Sequence, residues 1–395
     1  MSWEKVKLGN VCIKIGSGAT PKGGSTIYIE NGTTFIRSQN VYNLRFDYSG
    51  LVHINDSAAQ KLKGVAIQEN DVLLNITGDS VARTCIVPKT ILPARVNQHV
   101  AIIRPDKNKL NPHFLNFYLA SPLMQKYMLG LAVGKGASRN AMTKEMISNF
   151  EVPCPDIEIQ ERIAGVLKAY DDLIENNQKQ IRLLEEAARR LYKEWLVDLR
   201  FPGYETVNII DGVPEGWKEE KISQIVEYHD KKRKPLSSIK RANFQGEYRY
   251  YGAAEVLDHV KNYLFDGIYL LLGEDGTVMT SDGYPVLQYV DGKFWVNNHA
   301  HVLTGKAPYS TEFIYLMFMH TTISDVVTGA TQLKISQERL SAKKVLIPSE
   351  GIVLKFDAIV KKYLERSLSL QHQNVALAEA RDRLLPKLMS GEIEV

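Results

Sequence analysis

An ordered set of segments that occurs twice constrains this chain more than any other feature. Trp3-Glu4-Lys5-Val6-Lys7-Leu8 returns as Trp217-Lys218-Glu219-Glu220-Lys221-Ile222. Phe35-Ile36-Arg37-Ser38-Gln39-Asn40-Val41 returns as Tyr250-Tyr251-Gly252-Ala253-Ala254-Glu255-Val256. Further on, Asp71-Val72-Leu73-Leu74-Asn75-Ile76-Thr77-Gly78-Asp79 matches Ile268-Tyr269-Leu270-Leu271-Leu272-Gly273-Glu274-Asp275-Gly276, and Val96-Asn97-Gln98-His99-Val100 matches Val296-Asn297-Asn298-His299-Ala300. Each half closes with a Gly-Ala segment, Gly136-Ala137-Ser138-Arg139 or Gly329-Ala330-Thr331-Gln332, and an apolar-Pro step at Val152-Pro153 or Ile347-Pro348. An internal repeat of this kind sets the architecture before any single residue is interpreted.

After each of those prolines the apolar spacing turns helical. Ile163, Leu167, Tyr170, Ile174, Asn177, Ile181, Leu184, Ala188, Leu191 and Trp195 alternate by four and three, the seam of a coiled coil with one polar position. Phe356, Val360, Tyr363, Ser367, Leu370, Asn374, Leu377, Arg381, Leu384 and Leu388 hold the same register in the second half. The first seam would run about 50 Å at 1.5 Å per residue, long for a helix packed on its own domain. Ser367 and Arg381 weaken the second seam, and one Asn in each restricts register. The spacing therefore predicts two long helices that pair with each other, and Pro386 predicts the end of the second.

Residues 1–150 and 216–345 read as mixed α/β units, 151–215 as the first long helix with its linker, and 346–395 as the second helix. Strands are predicted at Asn10–Ile15, Thr34–Arg37, Asp71–Ile76, Val100–Arg104 and Ile268–Leu272, between Gly, Pro and Asn turn signals. An apolar helix is predicted after Asn111-Pro112 and another after Ser310-Thr311-Glu312, both good helix-start chemistry. The fold class expected is α/β (α+β): two similar units joined to two long helices that pair as an antiparallel coiled coil.

Composition adds limits. The 395 residues, 44% hydrophobic and 24% charged, fit ordinary globular domains. A net charge of +4 is compatible with a nucleic-acid partner without demanding one. Cys12, Cys85 and Cys154 are scattered, so neither a disulfide framework nor a CxxC metal site is drawn from them, and a reducing cytoplasm is the expected location. No apolar run of membrane-spanning length occurs, so no membrane partner is expected.

Catalytic signatures are weak. Ile13-Lys14-Ile15-Gly16-Ser17-Gly18 has a GxG turn, yet Thr20-Pro21-Lys22-Gly23-Gly24 follows where a ligand-receiving helix would begin. No P-loop and no Asn/Asp-Pro-Pro-aromatic methyltransferase motif is found. Gly273-Glu274-Asp275-Gly276 lacks EF-hand spacing and reads as a tight turn. His99, His299 and His301 lack zinc-site spacing and read as structural or hydrogen-bonding residues. Asp230-Lys231-Lys232 is too common a pattern to argue a nuclease centre. No catalytic, cofactor-binding or metal site is expected on this chain.

The order of unit, heptad helix, unit, heptad helix resembles the specificity subunits of type I restriction-modification systems over essentially the whole chain. The resemblance is carried by Trp3-Glu4 through Leu8, Arg37-Ser38-Gln39-Asn40-Val41, Tyr250-Tyr251-Gly252-Ala253, Val296-Asn297-Asn298-His299, Gly329-Ala330-Thr331-Gln332 and Ile347-Pro348, and most of all by Arg381-Asp382-Arg383-Leu384-Leu385-Pro386-Lys387-Leu388-Met389-Ser390-Gly391-Glu392-Ile393. It implies that each unit reads half of a split double-stranded DNA site, while the helices space the units and dock two methyltransferase subunits, with restriction subunits in the full complex. S-adenosylmethionine would then belong to the modification subunits, and ATP and magnesium to the restriction subunits. Two other readings would keep the architecture: a coiled-coil adaptor that does not touch DNA, and a recognition fragment of a fused restriction-methylation enzyme.

A paired reader of this kind would span half-sites about 34 to 36 Å apart. Base edges are read by Arg, Lys, Asn and Gln, while further basic and amide groups hold phosphates. The candidates in the first unit are Lys22, Arg37, Ser38, Gln39, Asn40, Arg83, Asn97, Gln98, Lys135, Arg139 and Asn140. In the second they are Lys231, Lys232, Arg233, Lys234, Arg241, Arg249, Tyr251, Asn297, Asn298, Gln332 and Lys334. Four adjacent cations from Lys231 to Lys234 suit phosphates or solvent better than bases. Gln160, Glu161, Arg182, Glu185, Arg189, Arg190, Asp382, Arg383 and Lys387 are expected on the outer helix faces, available to partner helices or to solvent.

Overall fold

Apolar runs such as Val72-Leu73-Leu74 and Val100-Ala101-Ile102-Ile103 can be buried only if both faces of a strand are covered, and the architecture supplies two covers. A computed structural model describes residues 3–133, 141–329 and 331–395. The chain forms two compact units, Met1–Asn176 with Gln373–Val395, and Asn177–His372, so each takes part of both long helices.

The principal strands of the first unit are β1 (Cys12–Ser17), β2 (Tyr28–Ile29), β3 (Thr33–Ile36), β4 (Val52–Ile54), β5 (Val72–Asn75), β6 (Thr84–Ile86), β7 (Ala94–Val96) and β8 (Val100–Pro105). One antiparallel sheet has the order β1-β8-β5-β6, and a second has the order β7-β3-β4-β2 with β7 parallel to β3. Alternation along the shared strands divides the core. Val72, Leu74, Ala101 and Ile103 face a cluster containing Phe114, Leu115 and Ile163, whereas Leu73, Val100 and Ile102 meet Ile36, Ala94 and Val96 of the second sheet. Leu73 is fully buried, and burial of such a side chain contributes about 1.5–3 kcal/mol.

The second unit repeats the plan with β9 (Val226–Tyr228), β10 (Gln245–Tyr251), β11 (Val256–Val260), β12 (Phe265–Asp266), β13 (Tyr269–Gly273), β14 (Leu287–Val290), β15 (Lys293–Val296) and β16 (Ala300–Gly305). Its first sheet, β9-β16-β13-β14, has the topology of the first unit's. The other sheet is ordered β11-β10-β15-β12 and keeps one parallel pair, β10 with β15. Leu270, Leu272 and Leu303 face the helical side, while Leu271 and Val302 face Phe294 and Val296.

The two predicted apolar helices form at α1 (Pro112–Ala120) and α3 (Thr311–Met319). Asn111 Oδ1 accepts from the His113 and Phe114 amides, and Ser310 Oγ accepts from the Phe313 amide, satisfying first-turn donors. The long helices are α2 (Ile157–Tyr192) and α4 (Glu350–Ser390). Every predicted seam residue is buried or half-buried, Trp195 lying in the π-helical turn Lys193–Val197 that follows α2.

Within each unit the helices run antiparallel. In the first, Ile163, Ala164 and Leu167 share a core with Leu385, Leu388 and Met389, and Asp171 pairs with Arg381. In the second, Ala188 and Tyr192 pack with Phe356, Val360 and Leu364, and Ser367 Oγ lies 3.3 Å from Glu185 Oε1. Pro386 does not end its helix, which continues to Ser390. The proline removes one amide donor, but Leu385, Leu388 and Met389 are all buried on the helical continuation, and their packing offsets that loss. Gln160 is not on an outer face. It is fully buried, donating to the Lys109 and Pro155 carbonyls and accepting from the Asn111 amide.

Candidate nucleic-acid interface

In both units a short turn joins a strand of the second sheet to the central strand of the first, β7 to β8 and β15 to β16. The same asparagine builds it. Asn97 Oδ1 accepts from the His99 amide at 3.2 Å, and Asn297 Oδ1 accepts from the His299 amide at 2.8 Å. Both asparagines are buried, so they hold the turn and do not themselves face a ligand. Gln98 and Asn298, between each Asn and His, are exposed.

Gly18 packs against this turn. A Cβ there would lie 2.1 Å from the Val96 carbonyl oxygen and 2.3 Å from that of Asn97, while the Gly18 amide donates to the Val100 carbonyl. Close backbone approach accounts for this glycine.

Beside the first turn lies an open groove of about 640 Å³ lined by Ser38, Gln39, Tyr42, Thr77, Gly78, Asp79, Ser80, Arg83, His99 and Ala141. Asn75, at the end of β5, fixes one wall by donating to the Ser38 carbonyl at 2.9 Å. Asn40 is fully buried beneath that wall. Its Oδ1 accepts from the Arg37 amide, and its Nδ2 donates to the Asp47 and Ser49 carbonyls. The Arg83 guanidinium stacks 4.5 Å above the Tyr42 ring, leaving its donor edges directed by an aromatic shelf. Arg37 is half-buried and gives Nη2 to the Gly50 carbonyl at 2.6 Å, while its Nε is buried without a partner. Ser38 is half-buried, and Lys22 and Gln39 are exposed. Lys135, Arg139 and Asn140, with the Gly136-Ala137-Ser138-Arg139 segment, lie outside the described residues.

The second unit separates its basic run into two roles. Lys231, Lys232 and Lys234 are exposed, but Arg233 turns inward, with Nη1 2.5 Å from Glu274 Oε2 and 2.7 Å from the Ala300 carbonyl. Asp230 accepts from the Val302 amide and lies 2.6 Å from His301 Nδ1, whose Nε2 faces the Ile335 carbonyl at 2.9 Å. Asp230, Glu274 and His301 have the closeness of a metal-ligand set, yet the Arg233 cation already lies against both carboxylates. This cluster fastens the basic run to the end of the central sheet.

Arg241 is likewise committed inward, to Asp258 and the Leu236 carbonyl, over the Tyr250 ring. Tyr251 is buried, its hydroxyl 3.3 Å from Nη1 of the exposed Arg249. Gln332 and Lys334 are exposed, and Gln332 Nε2 donates to Asp275 Oδ1 at 2.7 Å.

The folded chain thus gathers Ser38, Gln39, Arg83 and Gln98 in the first unit, and presents Lys231, Lys232, Lys234, Arg249, Asn298, Gln332 and Lys334 on the second. Asn40, Asn97, Arg233, Arg241, Tyr251 and Asn297 serve as internal supports. Sequence reasoning passed over Thr20, Tyr42, Thr77 and Asp275, which touch or orient these exposed groups. The repeat brought the two segments together but set Thr77 against Glu274; strand pairing, Asn75 with Val100 and Gly273 with Ala300, is what places Thr77 and Asp275 two residues beyond equivalent strand ends. Burial pushes the Cys12 and Cys85 thiols up to about 12, so neither supplies a thiolate near neutral pH.

Comparison with known proteins decides the family. Residues 1–186 and 214–371 match the type I restriction modification DNA specificity domain. The chain belongs to that family. The MjaIX specificity subunit of Methanocaldococcus jannaschii is 26% identical to this specificity-family chain, over 100% of it and 94% of the relative. The HindI specificity subunit of Haemophilus influenzae is 22% identical, over 91% and 94%. Among solved structures, the S subunit of a type I restriction-modification system from M. genitalium shares the fold, with a TM-score of 0.61, 15% identity and coverage of 98% and 96%. Among the described residues no helix is long and apolar enough to cross a membrane.

Proposed function

We propose that this chain is the non-catalytic DNA-recognition subunit of a type I restriction-modification complex, each unit reading one half of a bipartite duplex target. The observation that carries the reading is the family match on both halves of the chain, each half containing the same asparagine-held turn beside exposed amide and basic side chains. Adenine methylation and DNA cleavage are assigned to partners: two methyltransferase subunits docked on the long helices and using S-adenosylmethionine, and restriction subunits using ATP and magnesium. The cytoplasm is the location where such a complex meets its DNA.

Base discrimination comes from the exposed amides and arginines, because Arg, Asn and Gln match paired donor and acceptor patterns in the major groove. Lys231, Lys232 and Lys234 suit phosphates, which fix register without carrying sequence. The test is to co-express the chain with its methyltransferase subunit and sequence the methylated adenines. A split motif with two defined halves is expected. An assembled complex that methylates no defined motif would refute the recognition function and favour an adaptor role.

A further inference from the structure

Gln98 is exposed on the β7–β8 turn, yet its amide is held at both ends. Thr20 Oγ1 donates to Oε1, and Nε2 donates to His99 Nε2 at 3.0 Å. His99 in turn places Nδ1 2.6 Å from Thr77 Oγ1. With Oε1 placed toward Thr20, that hydroxyl donates to it and the NH₂ end faces the ring. The ring nitrogen that faces the NH₂ then accepts, which leaves Nδ1 as the donor to Thr77 Oγ1.

Held in this way, Gln98 keeps one N–H and one Oε1 lone pair unused by these hydrogen bonds. An adjacent donor and acceptor on one amide match the N7 and N6 amino edge of adenine in the major groove. Resting on the DNA-reading function above, we propose that Gln98 reads an adenine in the half-site of the first unit. Thr20, His99 and Thr77 are the positioning residues that set its amide before DNA arrives.

The second unit supports a different amide from the same place. Thr77 bridges to Ala141 just beyond the end of β5, and Asp275 bridges to Lys334 just beyond the end of β13. Asp275 Oδ1 accepts from Gln332 Nε2 at 2.7 Å, and its Oδ2 lies 3.5 Å from His299 Nδ1. Asn298, at the position of Gln98, is exposed. The position beyond the strand is therefore a common post, and its side chain selects which amide is oriented.

The experiment uses the full chain co-expressed with its methyltransferase subunit, with the methylated motif read by sequencing. In Gln98→Ala, discrimination at one adenine of one half-site should fall by roughly 5- to 150-fold, the other half being unchanged. Thr77→Val and His99→Ala should relax the same position by roughly 2- to 12-fold, the effect of freeing one oriented side chain. Thr77→Ser keeps the hydroxyl and should restore it, which a change in overall stability would not do selectively at one base. A Gln98→Ala motif as sharp as wild type overturns the proposal, as does Thr77→Ser relaxing that base as much as Thr77→Val. A wild-type complex that gives no split motif overturns the DNA-reading function instead, an outcome distinct from a motif indifferent to Gln98.

Discussion

Arg381 occupies a seam position where its counterpart on the first helix is Ala188, and replacing it should expose how the helices are held. Its Nη1 pairs with Asp171, while Nη2 and Nε lie 2.8 and 3.0 Å from Asp382. The Asp171 and Arg381 side chains are 24% and 15% exposed, so the pair is largely removed from water. Burial holds the Asp171 carboxyl above its usual range even with the guanidinium beside it. Desolvation of the carboxylate thus outweighs what Arg381 returns to it, whereas the guanidinium, lowered by burial, is raised further by Asp171 and Asp382, so the pair as a whole contributes little net stability near neutral pH.

Removing one partner of a buried pair costs about 3–5 kcal/mol, and the residual exposure here lowers the expectation for Arg381→Leu to about 2–3 kcal/mol. Asp171→Leu should cost less, about 1 kcal/mol, because Asp382 still holds the guanidinium. The double variant should be at least as stable as wild type, by up to about 1 kcal/mol, since two leucines fill the seam without stranded charge. Urea unfolding followed by far-ultraviolet circular dichroism, which the long helices dominate, measures all three. The reasoning fails if Arg381→Leu is no worse than Asp171→Leu, or if the double variant is less stable than either single one.

Three further outcomes follow from the same packing. Asp230→Ala removes the acceptor of His301 Nδ1 and of the Val302 amide while Glu274 still holds Arg233, and should destabilise the second unit by about 1–3 kcal/mol; denaturation that matches wild type within error would show the cluster to be incidental. Replacing Lys231, Lys232 and Lys234 by alanine should weaken DNA binding alike for all sequences and lower the salt slope by about 1 for each phosphate no longer neutralised, checked by titration over a range of salt. For Asp357, burial raises the carboxyl above its usual range, with the Ser310 hydroxyl and Lys361 acting against burial and Glu312 with it. The folded chain therefore binds that proton more tightly, so the contribution to stability is complete below the unfolded value and is lost as pH rises through the folded one. Asp357→Asn should lessen that loss, and a stability difference from wild type that is the same at pH 4 and pH 7 would contradict the assignment.

The repeat and the helical seams were legible because periodicity reports burial directly: a four-three spacing needs a partner helix, and an unbroken apolar strand needs two covered faces. The roles of polar residues were much less legible. Asn40, Asn97, Asn297, Arg233, Arg241 and Gln160 have the composition of surface groups, yet each turns inward to satisfy backbone groups or carboxylates. Local sequence cannot distinguish these roles, because a turn and a ligand recruit the same amides and guanidinia. Pro386 shows the same limit for helices. A helix-stopping residue stays within the helix because the three apolar side chains around it have a core to enter.

What the two units share and what they vary point to unlike half-sites. The first-sheet topology, the parallel strand pair and the asparagine-held turn persist in both, as a common frame requires. The exposed and half-buried positions on that frame do not persist: Ser38-Gln39 faces Ala253-Ala254 and Gln98 faces Asn298 in the repeat, and strand pairing sets Thr77 opposite Asp275. Direct readout depends on the reach and donor pattern of those side chains, so a unit carrying a threonine-held glutamine and one carrying an aspartate-held glutamine from another loop present different edges to DNA. The methylated motif should therefore have two halves that are not inverted copies of one another. A palindromic motif would mean that the varied positions do not read bases, and that discrimination comes from the shared frame or from DNA shape.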